Sequence, residues 1–453
     1  MPETAVSVAC AVNQLADLVT TVRHEDLPPG TRRRAGQVIA DTVGVGLAGA
    51  RTEPVRTLLA GASPSAEAQL LTTGFRPTTR EEAMTLNALA VCATELDEGT
   101  RPTGHPAMHL LPAALAVAQH RHLPGRDLVT ALVLGYEVQS RLQWAFRLRD
   151  GVHCHGNFGT VGVAAALARL TGLSSAQTRH ALNGAAGMIA ATSYASPYAG
   201  ASMHTASPAL SVQSGALAVR LATAGYTGYE HAVSEGFGCL LGTAVDPDAL
   251  TADLGSRWAV DSSYVKFHST CGHVHPVLDA LIDALGQGPS RWLAAPVDPQ
   301  TVRSLTVRVS VRAAELNAIP EQPSPLAARF SIPLSAAAFL LHGHAGPDAF
   351  APSALARPDL IRLARTVSVV PDGEYDRQFP DRHLAEVTLT LTDGRELHGR
   401  CENPYGNNRN PASTADVRSK FLALTADSAT GPALWDRLTD LDSVPDVSEL
   451  LAA

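Results

Sequence analysis

The sequence predicts a mostly α-helical protein: a large all-helical domain with a smaller α+β domain set between its two segments. Three observations carry this reading. Ala-, Leu- and Val-rich stretches of helical length recur over residues 8–260, joined by short Gly/Pro turns. Near residue 300 the pattern changes to the strong alternation of strands. Beyond residue 396 the composition turns helical again after a polar loop at 403–413. The expected boundaries are therefore 1–261 for the first helical part, 262–395 for the α+β domain and 396–453 for the return. No internal repeat or low-complexity segment interrupts this plan.

Each element has its own warrant. Residues 35–50 carry Val38, Ile39, Val43, Val45 and Leu47 in a largely apolar run, and 110–118 and 128–142 are similar. The stretches 159–170 and 210–224 are apolar around much of their circumference, as buried helices are. Gly172 and Gly225 stand where C-terminal caps belong. In 301–311, Val302, Leu305, Val307, Val309 and Val311 are apolar with polar residues between some of them. Residues 367–370 and 386–391 are also β-rich, and the second run leads into Asp393-Gly394, a hairpin signal. Between them, 325–341 is helix-like.

Composition bounds the function. Aromatic residues make up only 5% of the chain, so the core is expected to rest on small aliphatic side chains that let helices approach closely. A net charge of -8 gives no electrostatic reason to bind nucleic acid, whose phosphates need a basic surface. The run Arg32-Arg33-Arg34 reads as a solvated helix face. The 6 cysteines are scattered with no Cys-x-x-Cys spacing, which predicts neither a disulfide framework nor a structural zinc site. Residues 1–18 lack a basic region followed by a long apolar run, and no uninterrupted apolar stretch of spanning length occurs. A cytoplasmic protein without membrane association is therefore expected. Lys266 and Lys420 are the lysines, against 33 arginines. A lysine retained in such a chain is expected to act where a guanidinium cannot.

Four polar clusters stand against this apolar background. The first is Glu95-Leu96-Asp97-Glu98-Gly99-Thr100 with Gly104-His105-Pro106, placed on a loop between two helices. Loops held by rigid helices often carry catalysis, although acids before a helix can also simply cap it. The second, His153-Cys154-His155-Gly156-Asn157-Phe158-Gly159, opens a helix, where an anion is favoured. Its His-x-His could ligate a metal, but no spaced partner carboxylate or cysteine set accompanies it, so no metal is expected. The third runs from Lys266 through His268, Cys271 and His273 to His275-Pro276 at the proposed domain boundary, where clefts form. Cys271 has no evident activating arrangement and reads as structural. The fourth, Tyr405-Gly406-Asn407-Asn408-Arg409-Asn410-Pro411, has the composition of a turn.

In this order the clusters resemble the MmgE/PrpD superfamily, over nearly the whole chain. Asp41-Thr42-Val43-Gly44 and Leu47-Ala48-Gly49 look like its first long helix, and Glu95 to Pro106 like its acidic segment and His-Pro. Gly151-Val152-His153 onward resembles its second histidine loop. Lys266, Cys271, His275-Pro276 and Asp279-Ala280 match its Lys…Cys…His-Pro…Asp-Ala segment, and Gly406 to Pro411 with Lys420-Phe421 its C-terminal signature. The resemblance implies a homodimer with an interdomain active site that dehydrates, decarboxylates or isomerises small polycarboxylates without a cofactor. It places Glu95, Asp97, His105, His153, Lys266 and His275 on motif positions. Two departures follow: Gly99, with Thr100 adjacent, stands where relatives have threonine, and Ala201 of Ala201-Ser202-Met203-His204 stands where many have lysine. Losing that cation argues against an unchanged tricarboxylate substrate.

The chemistry can be stated without the family. Removing a proton beside a carboxylate concentrates negative charge, so a cation must be preplaced where that charge develops. Lys266 can do this, and as a cleft residue it is expected to support little core. His105, then His153, can move the proton, while Glu95 or Asp97 orients the imidazole. The expected substrate-binding residues are His275, Thr100, His155, His204 and His268, and the expected ligand is a small carboxylate-bearing molecule. The reaction class is a cofactor-independent lyase or isomerase. A specialised cyclase or epimerase, or a relative kept only for binding, stays open; Ala201 leans toward the last, the retained histidines and Lys266 toward an enzyme.

Overall fold

The computed structural model describes residues 2–101, 104–287, 292–321, 324–428 and 430–451. The helical body begins with α1 (Pro2–Thr21), α2 (Pro29–Gly49), α3 (Glu53–Ala60), α4 (Arg80–Cys92), α5 (Pro106–His120) and α6 (Gly125–Ala145). It continues with α7 (Phe158–Thr171), α8 (Ser175–Ala186), the one-turn α9 (Ala195–Tyr198) and α10 (Ser207–Thr223). Helix α7 sits centrally, packed against α5, α6, α8 and α10. The sparse aromatics matter here. A Cβ on Gly135 of α6 would meet the Gly162 carbonyl of α7 at 2.9 Å, so the two backbones touch where neither has a side chain. Gly172 ends α7 at φ 72°, in the left-handed region expected of a cap.

The helical reading over 8–260 holds only to α10. From 226 to 262 the chain runs through a π-helical turn at Ser234–Leu240 and two 3-10 turns at Pro247–Leu250 and Ala259–Ser262. Gly228, Gly236, Gly238, Gly242 and Pro247 interrupt any longer helix there. Two short antiparallel pairs brace the body, β1 (Ala68–Gln69) with β2 (Pro77–Thr78) and β3 (Phe146–Leu148) with β4 (Gly242–Val245).

The α+β unit is built on β5 (Val302–Ser310), β6 (Val367–Asp372), β7 (Ala385–Leu391) and β8 (Glu396–Cys401). The strand order is β6-β5-β7-β8, parallel between β5 and β6 and antiparallel elsewhere. Val307 faces Val369 on one side and Val387 on the other, so the predicted alternation fixes the register. The turn at Asp393-Gly394 joins β7 to β8, with Gly394 at φ 91°. Strand β8 was not anticipated. Its Glu396, His398 and Arg400 give it the charged face of an edge strand rather than a core pattern. α11 (His275–Ala284) packs on β7 and β8. The helix expected over 325–341 is two helices, Pro325–Arg329 and Ile332–His342, because Ser331 caps the second at the Leu334 N–H and Pro333 cannot continue the first.

Two large apolar cores result, besides a small cluster of Ala50, Val55, Leu59, Leu70 and Ala90. One draws on residues from Val8 to Phe267 and from Tyr405 to Leu451; the other on residues from Cys271 to Cys401. The C-terminal helices Thr414–Leu424 and Gly431–Thr439 return to pack on α2. No described helix is long and apolar enough to cross a membrane.

Candidate active site between the two units

The acidic segment forms the loop between α4 and α5, and the third cluster zips onto it. Gly99 and Tyr264 exchange backbone hydrogen bonds of 3.1 and 2.8 Å. Glu95 takes φ 52°, unusual for a residue with a Cβ, so the loop must be held from outside. Both lysines hold it. Lys266 Nζ donates to the Glu95 carbonyl at 3.1 Å, and Lys420 Nζ, paired with Asp41 at 2.7 Å, donates to the Leu96 carbonyl at 3.2 Å. Arg329 and Ser269 donate to the Thr94 carbonyl beside them.

A chain of charge follows. Lys266 Nζ lies 3.7 Å from Glu95 Oε2 and 3.6 Å from Asp97 Oδ1, and Asp97 Oδ2 lies 2.7 Å from His105 Nδ1. The same Nδ1 is 2.8 Å from the Glu98 carbonyl. A backbone carbonyl can only accept, so it keeps the proton on Nδ1 and leaves Nε2 as the base, with the Asp97 carboxylate beside the ring as a counter-charge. Burial alone would raise the Asp97 carboxyl, but Lys266 and His105 hold it well below the usual carboxylate range. Burial alone would lower the Lys266 ammonium; Asp97 and Glu95 outweigh it and hold it above the usual lysine value. Glu98 lies behind, its carboxylate accepting from the Ala107 N–H at 2.5 Å and the Tyr136 hydroxyl at 2.8 Å. Burial raises it to about 7.

Histidines gather opposite. The loop before α7 is pinned by the His153 N–H on the Thr192 carbonyl at 2.8 Å and by Asn157 Nδ2 on the His153 carbonyl at 2.7 Å. This brings the His155 ring centre 4.2 Å from His153, 5.1 Å from His105 and 5.0 Å from His204, on which it stacks. Burial pushes His153 and His155 well below the ordinary imidazole value and lowers His204 as well. The ring nitrogens of His155 and His204 have no hydrogen-bond partner among the described residues. The donor atoms of His153, Cys154 and His155 lie within 4.8 Å of one another, and no carboxylate belongs to that group.

These walls enclose a cavity of about 650 Å³. Of the sequence-predicted residues, Glu95, His105, His153, His155 and Lys266 line it. Asp97 stands behind His105 and Lys266, and His204 behind His153 and His155. Thr100 is buried, its N–H on the Gly104 carbonyl at 2.9 Å. His268 and His275 lie outside the cavity lining: His268 Nε2 pairs with Asp279 at 3.0 Å and His275 Nε2 is 3.3 Å from the Thr270 carbonyl. Cys271 lines the cavity with its thiol pushed up by burial, away from the thiolate. Sequence reasoning left Arg101, Tyr194, Tyr264 and Arg312 unassigned, though all four line the cavity. Tyr264 carried a signal, since two residues before Lys266 on an extended segment places it on the same face. A larger groove of about 960 Å³ between α3, α4, α5, α7 and α10 contains none of the predicted residues and lacks comparable chemistry.

Comparison with known proteins places the chain among relatives over nearly its whole length. The chain is 27% identical over 97% of its length to the cis-aconitate decarboxylase-like protein oryM of Aspergillus oryzae, covering 96% of that protein. It is 26% identical to the cis-aconitate decarboxylase of Mus musculus, over 96% of this chain and 90% of the relative. For the Aspergillus terreus enzyme of that name the identity is 24%, over 97% and 94%. The MmgE/PrpD N-terminal domain matches residues 13–248 and the MmgE/PrpD C-terminal domain matches residues 268–435, so the chain belongs to the MmgE/PrpD family.

Proposed function

We propose that the protein is a cofactor-independent lyase that removes carbon dioxide or water from a small polycarboxylate, with His105 moving the proton. The observation that carries this is the chain Lys266–Asp97–His105 on the cavity wall, with distances of 3.6 and 2.7 Å. The Glu98 carbonyl fixes the tautomer, Asp97 sets its negative charge beside the ring, His105 presents Nε2, and Lys266 stands where an enolate-like charge would be stabilised. In a decarboxylation the bond to the departing carboxylate breaks. Its electron pair spreads toward a neighbouring carboxylate near Lys266, and the carbon then takes a proton from Nε2 of His105 in its imidazolium form, which solvent water restores for the next turnover. In a dehydration His105 Nε2 takes the proton first, and the imidazolium so formed passes it to the departing hydroxide, which leaves as water. The names of the relatives favour decarboxylation. Ala201 is exposed and offers no cation, which favours a substrate differing from that of lysine-bearing relatives.

The deciding experiment incubates the protein with a panel of small di- and tricarboxylates and follows products by NMR. Release of carbon dioxide or water from one of them, lost in His105→Gln, is expected. A panel with no turnover, in protein that melts cooperatively, would leave a binding role instead. Activity is expected to survive chelation, because no carboxylate joins the His-Cys-His donors; stoichiometric metal whose removal abolishes turnover would reverse that. We also propose a homodimer through the helical domain, to be checked by light scattering at micromolar concentration, where a monomer would overturn it.

A further inference from the structure

The cavity has a second polar region that proton transfer does not use. Arg101 and Arg312 both line it, and each stands one tyrosine ring beyond a histidine of the reacting cluster. The Arg101 guanidinium carbon is 5.0 Å from the centre of the Tyr264 ring, itself 6.3 Å from His105. The Arg312 guanidinium carbon is 5.4 Å from the centre of the Tyr194 ring, itself 5.2 Å from His153. A guanidinium resting on an aromatic face keeps its N–H edge free, and that edge matches a carboxylate in a planar, two-bond fork.

The neighbours fit the same ligand. Arg101 Nη2 lies 3.1 Å from His383 Nδ1. His383 is 6% exposed, and burial, with Arg101 beside it, holds it well below the ordinary imidazole value. The neutral ring accepts from Arg101 on Nδ1 and so carries its proton on Nε2, which has no partner among the described residues. His273, whose ring is 5.6 Å from that of His383, is lowered to about 4 by burial and by both arginines. Asp376 takes the backbone N–H of Arg312, and Asp381, two residues from His383, pairs with Arg409 at 2.7 Å. Among the described residues no carboxylate forms an ion pair with either arginine.

We propose that Arg101, Arg312 and His383 form a subsite for a substrate carboxylate remote from the reacting carbon, selecting di- and tricarboxylates over monocarboxylates. The proposal rests on the lyase reading only in taking the cavity's ligand to be the substrate.

The test uses unreactive probes and the full chain: calorimetric binding of propane-1,2,3-tricarboxylate and of butyrate. Wild type is expected to favour the tricarboxylate. Arg101→Gln and Arg312→Gln are each expected to weaken it about tenfold or more and to leave butyrate unchanged, since a charge-assisted hydrogen bond is lost. Arg312 is exposed, so Arg312→Gln tests the subsite even if Arg101→Gln disturbs folding. Equal binding of the two probes by wild type, or unchanged selectivity in a normally melting Arg312→Gln, would overturn the subsite. Tight tricarboxylate binding without turnover of any carboxylate would instead sink the lyase reading and leave the subsite standing.

Discussion

Two histidine–aspartate pairs occupy the junction of this molecule, and only one of them faces the cavity. His105 and Asp97 are 2.7 Å apart, His268 and Asp279 3.0 Å, and both aspartates are buried. The second oxygen of Asp97 faces the Lys266 ammonium, and His105 opens onto the cavity. The second oxygen of Asp279 is taken by the Tyr405 N–H at 2.5 Å, and the His268 ring is enclosed by His275 and Phe339. The first pair has an acceptor to fix its tautomer, a cation to answer it and space for a ligand. The second ties α11 to the chain beyond β8. Identical residue types thus part company over where their remaining bonding positions lead.

The largest expected effect is at the base itself. Loss of a general acid–base group lowers rates by roughly 10²–10⁴, and His105→Gln should do so with little change in melting. Asp97→Asn should lose much of the same rate while retaining substrate binding. Lys266→Ala should lower turnover by roughly 10²–10³. Here the structure corrects an expectation: Lys266 is 1% exposed and neutralises two buried carboxylates, so it supports more than the cleft. Removing one partner of a buried pair costs about 3–5 kcal/mol, so Lys266→Ala should also melt measurably lower. Lys266→Arg should rescue poorly in so enclosed a space. A Lys266→Ala protein with normal turnover would move the active site elsewhere.

The contrasting pair predicts the opposite balance. Asp279→Asn should leave turnover within a few-fold of wild type and lower the melting temperature by a few degrees. Were it to lose as much rate as Asp97→Asn, the distinction between the pairs would collapse.

The smallest effect is a slope. His153, His155 and His204 have folded pKa values below the unfolded value of 6.5, so the unfolded chain binds more protons as pH falls. Their stability contribution is complete above 6.5 and is lost progressively below it. Glu98 acts in the opposite sense: raised from 4.5 to about 7, its contribution is complete below 4.5 and lost as pH rises through about 7. His204→Gln should flatten the acid-side dependence by up to about 1.4 kcal/mol per pH unit, one proton's worth. Urea melts between pH 7 and 5 measure it, and an unchanged slope would mean that His204 does not stay neutral when folded.

The sequence showed the apolar helices up to α10, three of the four strands of the larger sheet and the cavity's centre, because each is written in a local pattern. Val302 to Val309 alternate, and the acidic and histidine clusters interrupt apolar runs. What it concealed depends on distant partners. Strand β8 is polar because it is an edge, and 226–262 is irregular because glycines break its ladder. Nothing near His268 announces that Asp279 and Tyr405 close it off from the ligand. Arg101 and Arg312 carry no local signal, because it is the fold that sets each against a tyrosine. The rarity of lysine was the most far-reaching hint, since both lysines reach the same strained loop.

That shared grip has a temporal side. The Lys420 ammonium meets a carbonyl 324 residues earlier in the chain, from a helix that begins at Thr414. At synthesis rates of about 5–20 residues per second, on the order of half a minute passes between the birth of the acidic loop and that of its second anchor. During that interval the loop has the chemistry of a catalyst without its geometry. A nascent or C-terminally truncated chain is therefore expected to stay silent toward substrate until the last helices dock.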